Sequence, residues 1–198
     1  MATLTALRRA SPGRVELELD GRPWRTVPDD VVVRCGLHAN LALDRARLRA
    51  LRTELRRTEA LAAAGRALAQ APLSRRRLSE KLQRRGVTPA AERAAVGTLT
   101  AAGLVDDTRL VHARAEALAA RGWGDLAIEA RLERDGFEAK DVTNAVAGLP
   151  PQGGRAAELA AKLARPRPQA WAALARRGFT PDAIEEALGA LDVDETTG

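Results

Sequence analysis

The fold is decided by a segment that occurs three times along the chain. Residues 75–99 read RRRLSEKLQRRGVTPAAERAAVGTL, residues 125–149 read DLAIEARLERDGFEAKDVTNAVAGL, and residues 167–191 read RPQAWAALARRGFTPDAIEEALGAL. Each copy has a glycine at the same place, preceded by a leucine four residues earlier: Gly86, Gly136 and Gly178. An apolar residue directly follows each glycine: Val87, Phe137 and Phe179. Such self-similarity is typical of small helical units stacked along a chain.

The local chemistry of each copy predicts two helices joined by a tight turn. Glycine reaches the left-handed conformation of a helix C-cap, and the apolar residue after it turns back into the core. In two copies a Thr-Pro pair then starts the next helix, with Thr as N-cap and Pro at the first helical position. A further helix is expected before each pair, over residues 60–71, 107–120 and 154–164.

The first part of the chain has a different pattern. Val15, Leu17 and Leu19 alternate with acidic residues, and the following Asp20-Gly21 predicts a hairpin turn with Leu17 opposite Trp24. Residues 31–33, VVV, fit either a strand or a short helix. A helix is expected from Asp44, and without Pro or Gly before Gly65 it can run into the first repeat.

These patterns predict a mostly all-α protein whose three-helix repeats form an elongated, curved array behind a small β-hairpin extension. The expected segments are an extension over residues 1–59 and repeats over 60–105, 106–150 and 151–198, the last with a short first helix. Alanine and leucine are abundant, with 42 and 27 copies, whereas aromatic residues make up 3% of the chain. The cores should therefore be thin and built from alanine and leucine.

Composition excludes several classes of protein. The single Cys35 cannot form an intramolecular disulfide, and two histidines leave little for a zinc or copper site, so no metal or cofactor is expected. No apolar run reaches the roughly 18 residues that a membrane span requires, and the N-terminus lacks a signal peptide pattern. We therefore expect a soluble, cytoplasmic protein that acts as a monomer and does not bind a membrane.

The net charge of +6 is unevenly distributed. Residues 1–59 sum to +4 and residues 60–105 to +6, whereas residues 106–150 sum to −3 and residues 151–198 to −1. A basic first half favours a polyanion or an acidic protein surface as partner, although an arginine-rich solvated surface gives the same sum.

Ten residues are candidates for partner or DNA contact. On the second helix of the first repeat, Arg77, Lys81 and Arg84 recur at i, i+4 and i+7, and a stripe of cations of this kind can follow phosphates or an acidic groove. An exposed tryptophan between helices can stack on a base or a partner, or can pack between repeats. The full set of candidates is Arg75, Arg76, Arg77, Lys81, Arg84, Arg85, Arg121, Trp123, Arg131 and Arg134.

Six further residues are interpreted as structural. An acidic pair, Asp106-Asp107, follows a helix that ends near a glycine, and carboxylates there can cap the next helix and match its dipole. Arg109 could pair with a nearby carboxylate. A catalytic cluster is the alternative, but no nucleophile–base pair, phosphate loop or metal spacing accompanies it, so no enzyme is expected. The structural set is Gly103, Asp106, Asp107, Arg109, Gly122 and Gly124.

These motifs resemble those of a known family. GLVDDTRL at residues 103–110, RGWG at residues 121–124, and then Ile128, Leu132 and Gly136 resemble the signature of RecX, the bacterial regulator of the RecA recombinase. LDG at residues 19–21 and the residues up to Leu43-Asp44 resemble an extension that many RecX proteins carry. The chain departs from the family pattern at Glu92, where an apolar residue is usual, and at Leu104, where a large aromatic is common.

The resemblance implies a function that charge and periodicity do not. RecX proteins bind RecA and its nucleoprotein filament on single-stranded DNA, inhibit strand exchange and ATP hydrolysis, and so restrain recombination, DNA repair and the SOS response; some also bind DNA. The expectation is therefore a non-enzymatic inhibitor of RecA. A stand-alone DNA-binding module that uses the basic first half, and a helical scaffold for another protein, are the alternatives.

Overall fold

The computed structural model describes the backbone of residues 2–196 and the side chains of residues 2–189. The described chain is mostly helical with a small antiparallel sheet at the N-terminus, which confirms the predicted fold class. The strands are β1 (Ala2–Ser11), β2 (Arg14–Leu19), β3 (Arg22–Pro28) and β4 (Leu41–Leu43). The helices are α1 (Asp29–Arg34), α2 (Arg45–Gln70), α3 (Arg75–Arg84), α4 (Pro89–Ala101), α5 (Asp107–Ala120), α6 (Asp125–Arg134), α7 (Ala139–Ala147), α8 (Gln152–Leu163), α9 (Arg167–Arg176) and α10 (Pro181–Thr196).

The chain divides into two compact units. The first contains the residues up to Ala71 together with Leu78–Leu104, and the second contains Pro72–Arg77 and the residues from Val105 onwards. The first three residues of α3 thus belong with the second unit. The expected division into an extension and three repeats stays a prediction.

The first unit contains a four-stranded sheet in the order β3-β2-β1-β4. The hairpin of β2 and β3 is confirmed, but the expected pairing of Leu17 with Trp24 is wrong, because Leu17 lies opposite Arg25. The register shifts between Leu17 and Glu18, so Trp24 is the extra residue of a β-bulge and remains 40% exposed. Both β1 and β4 extend the sheet beyond the expected hairpin.

One face of this sheet packs on α1 and α2. Leu4, Leu17 and Val27 from the strands and Leu51 and Leu55 from α2 are buried in one core. The ambiguous valines form the short helix α1 rather than a strand.

Helix α2 begins where the sequence predicted. The side chain of Asp44 caps it by accepting a hydrogen bond from the Arg47 backbone N–H at 2.7 Å. The helix runs without a break through residues 59 and 60, and its second half packs Ala60 against Ala91 and Ala95 of α4.

The repeated glycines end their helices as expected. The φ angles of Gly86, Gly136 and Gly178 are 76°, 87° and 78°, all in the left-handed region. The N–H of the next residue donates to the carbonyl of the leucine before the glycine, from Val87 to Leu82, Phe137 to Leu132 and Phe179 to Leu174. These bonds form the Schellman motif that returns the apolar residue to the core.

The second unit contains two hydrophobic cores. In the first, Ile128 and Leu132 pack with Phe137 and Val142. In the other, Leu174 and Ile184 pack with alanines and Phe179, and Trp171 lies half-buried against them. Within the described residues, no helix combines the length and apolar character that a membrane crossing requires.

Candidate functional site

The arginines at the N-terminal end of the predicted basic stripe make contacts inside the second unit. The Arg77 guanidinium donates to the Arg134 backbone carbonyl at 2.6 Å and lies 3.9 Å from the Asp135 carboxylate. The Arg76 side chain lies against Gly136, where an added Cβ would meet its carbons at 3.0 to 3.2 Å. These two arginines hold the start of α3 against the end of α6.

Asp107 fixes the same helix end from another direction. Its carboxylate accepts a hydrogen bond from the Arg75 backbone N–H at 2.9 Å, and the Arg75 Nε lies 3.3 Å from its second oxygen. Asp107 is buried, with 9% of its surface exposed, whereas half of the Arg75 side chain remains exposed. The bond to the backbone N–H therefore contributes more than the solvated ion pair.

Ser74 and Arg114 complete this junction, and sequence reasoning missed both. The buried Ser74 hydroxyl accepts from the Arg77 backbone N–H and donates to the Asp135 carbonyl at 2.8 Å. Arg114 donates to the Asp135 carboxylate and to the Pro72 carbonyl, both at 2.9 Å. Its guanidinium also lies 5.4 Å from the centre of the Phe137 ring. A cap signal was readable at Ser74, but the partners of Arg114 are distant in sequence.

The remaining members of the stripe lie in the first unit. Arg84 and Arg85 are exposed, and the Arg84 Nε donates to the Glu80 backbone carbonyl of its own helix. Lys81 is half-buried and donates to the Gln70 side chain at 3.2 Å. The continuous stripe suggested by the spacing is therefore divided between an internal junction and an exposed group.

The RGWG segment forms a second junction inside the second unit. The Gly124 N–H donates to the Arg177 carbonyl at 2.8 Å, and an added Cβ at Gly124 would lie 2.2 to 2.3 Å from backbone atoms of Gly178 and Phe179. Only glycine allows this approach of two backbones. Gly122 ends its helix with a φ of 77°, and its carbonyl lies within reach of the Arg177 guanidinium at 3.4 Å.

Trp123 packs at this junction and is only half exposed. It lies against the core of Ile128 and Leu132, and the guanidinium carbons of Arg131 and Arg177 lie 6.0 and 5.9 Å from its ring centre. Arg121 is exposed, and its carbonyl accepts from Arg177 at 2.9 Å. The ring is therefore already flanked by two cations.

Residues Gln152, Arg155 and Asp125 hold the same junction. The Gln152 side-chain oxygen accepts from the backbone N–H groups of Asp125 at 3.3 Å and Thr180 at 3.0 Å. The Arg155 guanidinium forms an ion pair with the Asp125 carboxylate and donates to the Trp123 carbonyl at 3.0 Å. None of the three was a sequence candidate, because nothing local marks a contact between residues about 30 positions apart.

The Asp106 carboxylate caps α5. It accepts from the Arg109 backbone N–H at 2.9 Å, directly after Gly103 ends α4 with a φ of 69°. The Arg109 side chain is exposed and forms no ion pair with the described residues.

The two departures from the family pattern have different surroundings. Glu92 is buried in α4 and accepts from the Gln83 side chain at 3.3 Å, so its carboxylate has a polar partner. Leu104 is 63% exposed, and its apolar side chain needs no hydrogen-bond partner. Among the described residues, no group of three or more His, Cys, Asp or Glu side chains is arranged to hold a metal ion.

The fold and these contacts define a helical repeat protein with a small N-terminal sheet. Regulatory protein RecX of Xanthomonas axonopodis pv. citri is 37% identical to the chain over 126 residues, which cover 58% of the chain and 76% of that protein. Regulatory protein RecX of Stenotrophomonas maltophilia is 35% identical over 126 residues, which again cover 58% of the chain and 76% of that protein. No family model matches the chain. On the similarity to these relatives, the chain belongs to the RecX family of regulatory proteins.

Solved structures show the same fold. A crystal structure of regulatory protein RecX covers 96% of this chain and 100% of its own, with a TM-score of 0.80 and 19% sequence identity. A crystal structure of RecX from Lactobacillus salivarius covers 70% of this chain and 97% of its own, with a TM-score of 0.65 and 18% identity. At such identities the likeness establishes the architecture alone.

Proposed function

We propose that this chain binds RecA and its filament on single-stranded DNA and lowers strand exchange and ATP hydrolysis. The observation that carries the proposal is the 37% identity to a regulatory protein RecX over three quarters of that protein's length. The chain would act in the cytoplasm by binding, without a reaction of its own, and so restrain recombination, DNA repair and the SOS response. A monomer suffices for this role.

The contacts divide the ten candidate residues by the role we assign to them. Arg75, Arg76 and Arg77 hold the junction within the second unit, so we assign them to stability first. Lys81, Arg84 and Arg85 form the group we assign to RecA or filament contact. The two exposed arginines and the half-buried Lys81 present positive charge that attracts an acidic surface or phosphates, and salt weakens this attraction.

We assign the other candidates to the same role: Arg121, Trp123 and Arg131 at the Trp123 junction, and Arg134 at the opposite end of α6. Arg121 and Arg134 are exposed, and Arg131 lies beside the Trp123 ring. Because the ring is half-buried, a partner would contact its edge together with Arg121. Loss of Trp123 would then affect both binding and the stability of the second unit.

A filament-binding measurement tests the proposal. RecA is assembled on fluorescently labelled single-stranded DNA, and the anisotropy is followed as the chain is added. The variant with Lys81→Ala, Arg84→Ala and Arg85→Ala should bind more weakly, by about tenfold if it loses a little over 1 kcal/mol in total. The control carries Arg14→Ala, Arg22→Ala and Arg25→Ala, the same change in charge at exposed positions of the sheet. Equal affinities of the variant and the control would remove this contact assignment.

A further inference from the structure

Four exposed arginines lie along one side of the first half of α2. They recur at i, i+4, i+7 and i+11, which places them within a narrow sector of the helix surface. All four are exposed: Arg45, Arg49, Arg52 and Arg56. We call this set the arginine face. Its members lie on a different side of α2 from Leu51 and Leu55, which pack on the sheet.

The arginine face has no acidic partner among the described residues. Nearby Glu54 is on the opposite side of the helix and contacts Arg34 at 2.6 Å and Arg57 at 3.7 Å. The Asp44 carboxylate accepts from a backbone N–H at the start of the helix. Like charges at i and i+4 repel and destabilise a helix. No carboxylate of the described chain offsets the repulsion between these arginines, so an external anion that lies along them would offset it.

The cationic surface continues past the arginine face. Arg56 also lines a cleft of about 560 Å³ in the first unit, together with Arg66 of α2 and Arg85 at the end of α3. Of the described residues that line this cleft, Glu59 is the one acidic residue. Three arginines against one carboxylate leave the cleft positive, so an extended polyanion could follow α2 from Arg45 to the cleft.

We propose that the arginine face binds the sugar–phosphate backbone of duplex DNA without reading its sequence. Successive arginines are about 4.5 to 6 Å apart along the helix axis, and each DNA strand carries a charge about every 3.4 Å of axis. One arginine is therefore available for every one or two phosphates. All four positions are arginine, and the guanidinium fork can bind phosphate in a bidentate manner.

The composition of α2 favours a duplex over a single strand. Proteins that bind single strands without sequence preference stack the bases on aromatic side chains, and the sequence of α2 contains no aromatic residue. Contacts restricted to phosphates are typical of sequence-independent duplex binding. This inference goes beyond the proposed RecA interaction and does not depend on it, because it concerns bare DNA.

The test measures binding of the full chain to a short labelled duplex, without RecA, over a salt series. The variant carries Arg45→Ala, Arg49→Ala, Arg52→Ala and Arg56→Ala; alanine is a strong helix former, so α2 should stay folded. Loss of four phosphate contacts lowers the slope of log K against log salt by about 3.6. For a fourfold rise in salt, the affinity of the unchanged chain should fall about 150-fold more than that of the variant.

The control removes the same charge from the sheet through Arg9→Ala, Arg14→Ala, Arg22→Ala and Arg25→Ala, all at exposed positions. The inference predicts that the control keeps the slope of the unchanged chain. An equal loss in the control, or no change in the α2 variant, would overturn it. Equal or tighter arginine-dependent binding to a single strand, or to vesicles of anionic lipid, would overturn the assignment to duplex DNA. Inhibition of RecA by the same variant reports separately on the proposed function.

Discussion

Asp107 and Gln152 occupy equivalent positions in successive repeats and make the same contact. Asp107 is the first residue of α5 and accepts from the first N–H of α3, that of Arg75, at 2.9 Å. Gln152 is the first residue of α8 and accepts from the first N–H of α6, that of Asp125, at 3.3 Å. In each case the first helix of one repeat caps the second helix of the repeat before it.

This relationship means that a repeat is incomplete by itself. The first N–H groups of a helix have no partner inside the helix, and here the next repeat supplies one. The charges differ between the junctions: the Arg75 side chain lies beside the Asp107 carboxylate, whereas the Asp125 carboxylate accepts from the Gln152 amide at 3.0 Å. The first side chain of each helix therefore complements its own capping residue and would not complement the capping residue of the other junction.

Replacing Asp107 should destabilise the second unit. Asp107→Ala removes a buried, charged acceptor and leaves the Arg75 N–H without its partner, so we expect the free energy of unfolding to fall by about 2 kcal/mol. Urea unfolding followed by circular dichroism measures this change. Asp182→Ala, which removes an exposed carboxylate from the first turn of α10, is the control and should cost less. Equal losses in both variants would contradict the junction contact.

Adding a single methyl group at Gly124 should separate two backbones. The φ of Gly124 is −81°, which alanine accepts, so the effect of Gly124→Ala comes only from the collision with Gly178 and Phe179. We expect a loss of about 1 to 3 kcal/mol in thermal or urea unfolding. Gly154→Ala, in α8 of the same unit, has nothing within 4 Å of the added Cβ and should leave stability unchanged or raise it. Unchanged stability of the Gly124→Ala variant would contradict the close approach of the two backbones.

The helix cap at Asp106 should be lost on one substitution and largely kept on another. Asp106→Ala should lower the free energy of unfolding by about 1 kcal/mol, because the Arg109 N–H loses its acceptor. Asp106→Asn keeps a side-chain oxygen there and should recover most of the stability. If Asp106→Ala left stability intact but reduced affinity for a partner, the residue would belong to a binding surface instead.

The Cys35 thiol should react slowly. Burial raises its pKa above the ordinary value, the Glu54 carboxylate raises it further, and Arg34 opposes them. Because the thiolate is the nucleophile, a raised pKa lowers the thiolate fraction at a given pH. The rate of alkylation should therefore rise with pH along a curve displaced to higher pH than that of a cysteine in an unfolded peptide. A curve at the same pH as in the peptide would contradict this environment.

Local signals predicted much of the helical architecture. The left-handed caps at Gly86, Gly136 and Gly178 depend on residues within one turn, and so does the capping of α2 by Asp44. The core positions Ile184 and Leu188 follow from helical spacing alone and are 1% and 4% exposed. These features were predictable because the residues that determine them are neighbours in sequence.

Features set by distant residues could not be predicted. The bulge at Trp24 depends on how three strands align over the core. The hairpin signal predicts the turn but not which residues pair beyond it. Arg77 sits on a basic stripe but donates to a carbonyl 57 residues away. The arginine face is different, because its helical spacing is visible in the sequence alone.

The central claim, regulation of RecA, is tested most directly by RecA's own activities. ATP hydrolysis on single-stranded DNA and strand exchange are measured as the chain is added to RecA. The account predicts that both rates fall progressively to a low plateau, and that a variant combining Lys81→Ala, Arg84→Ala and Arg85→Ala requires more protein for the same effect. Unchanged hydrolysis and strand exchange at saturating amounts of a folded chain would contradict the proposed function.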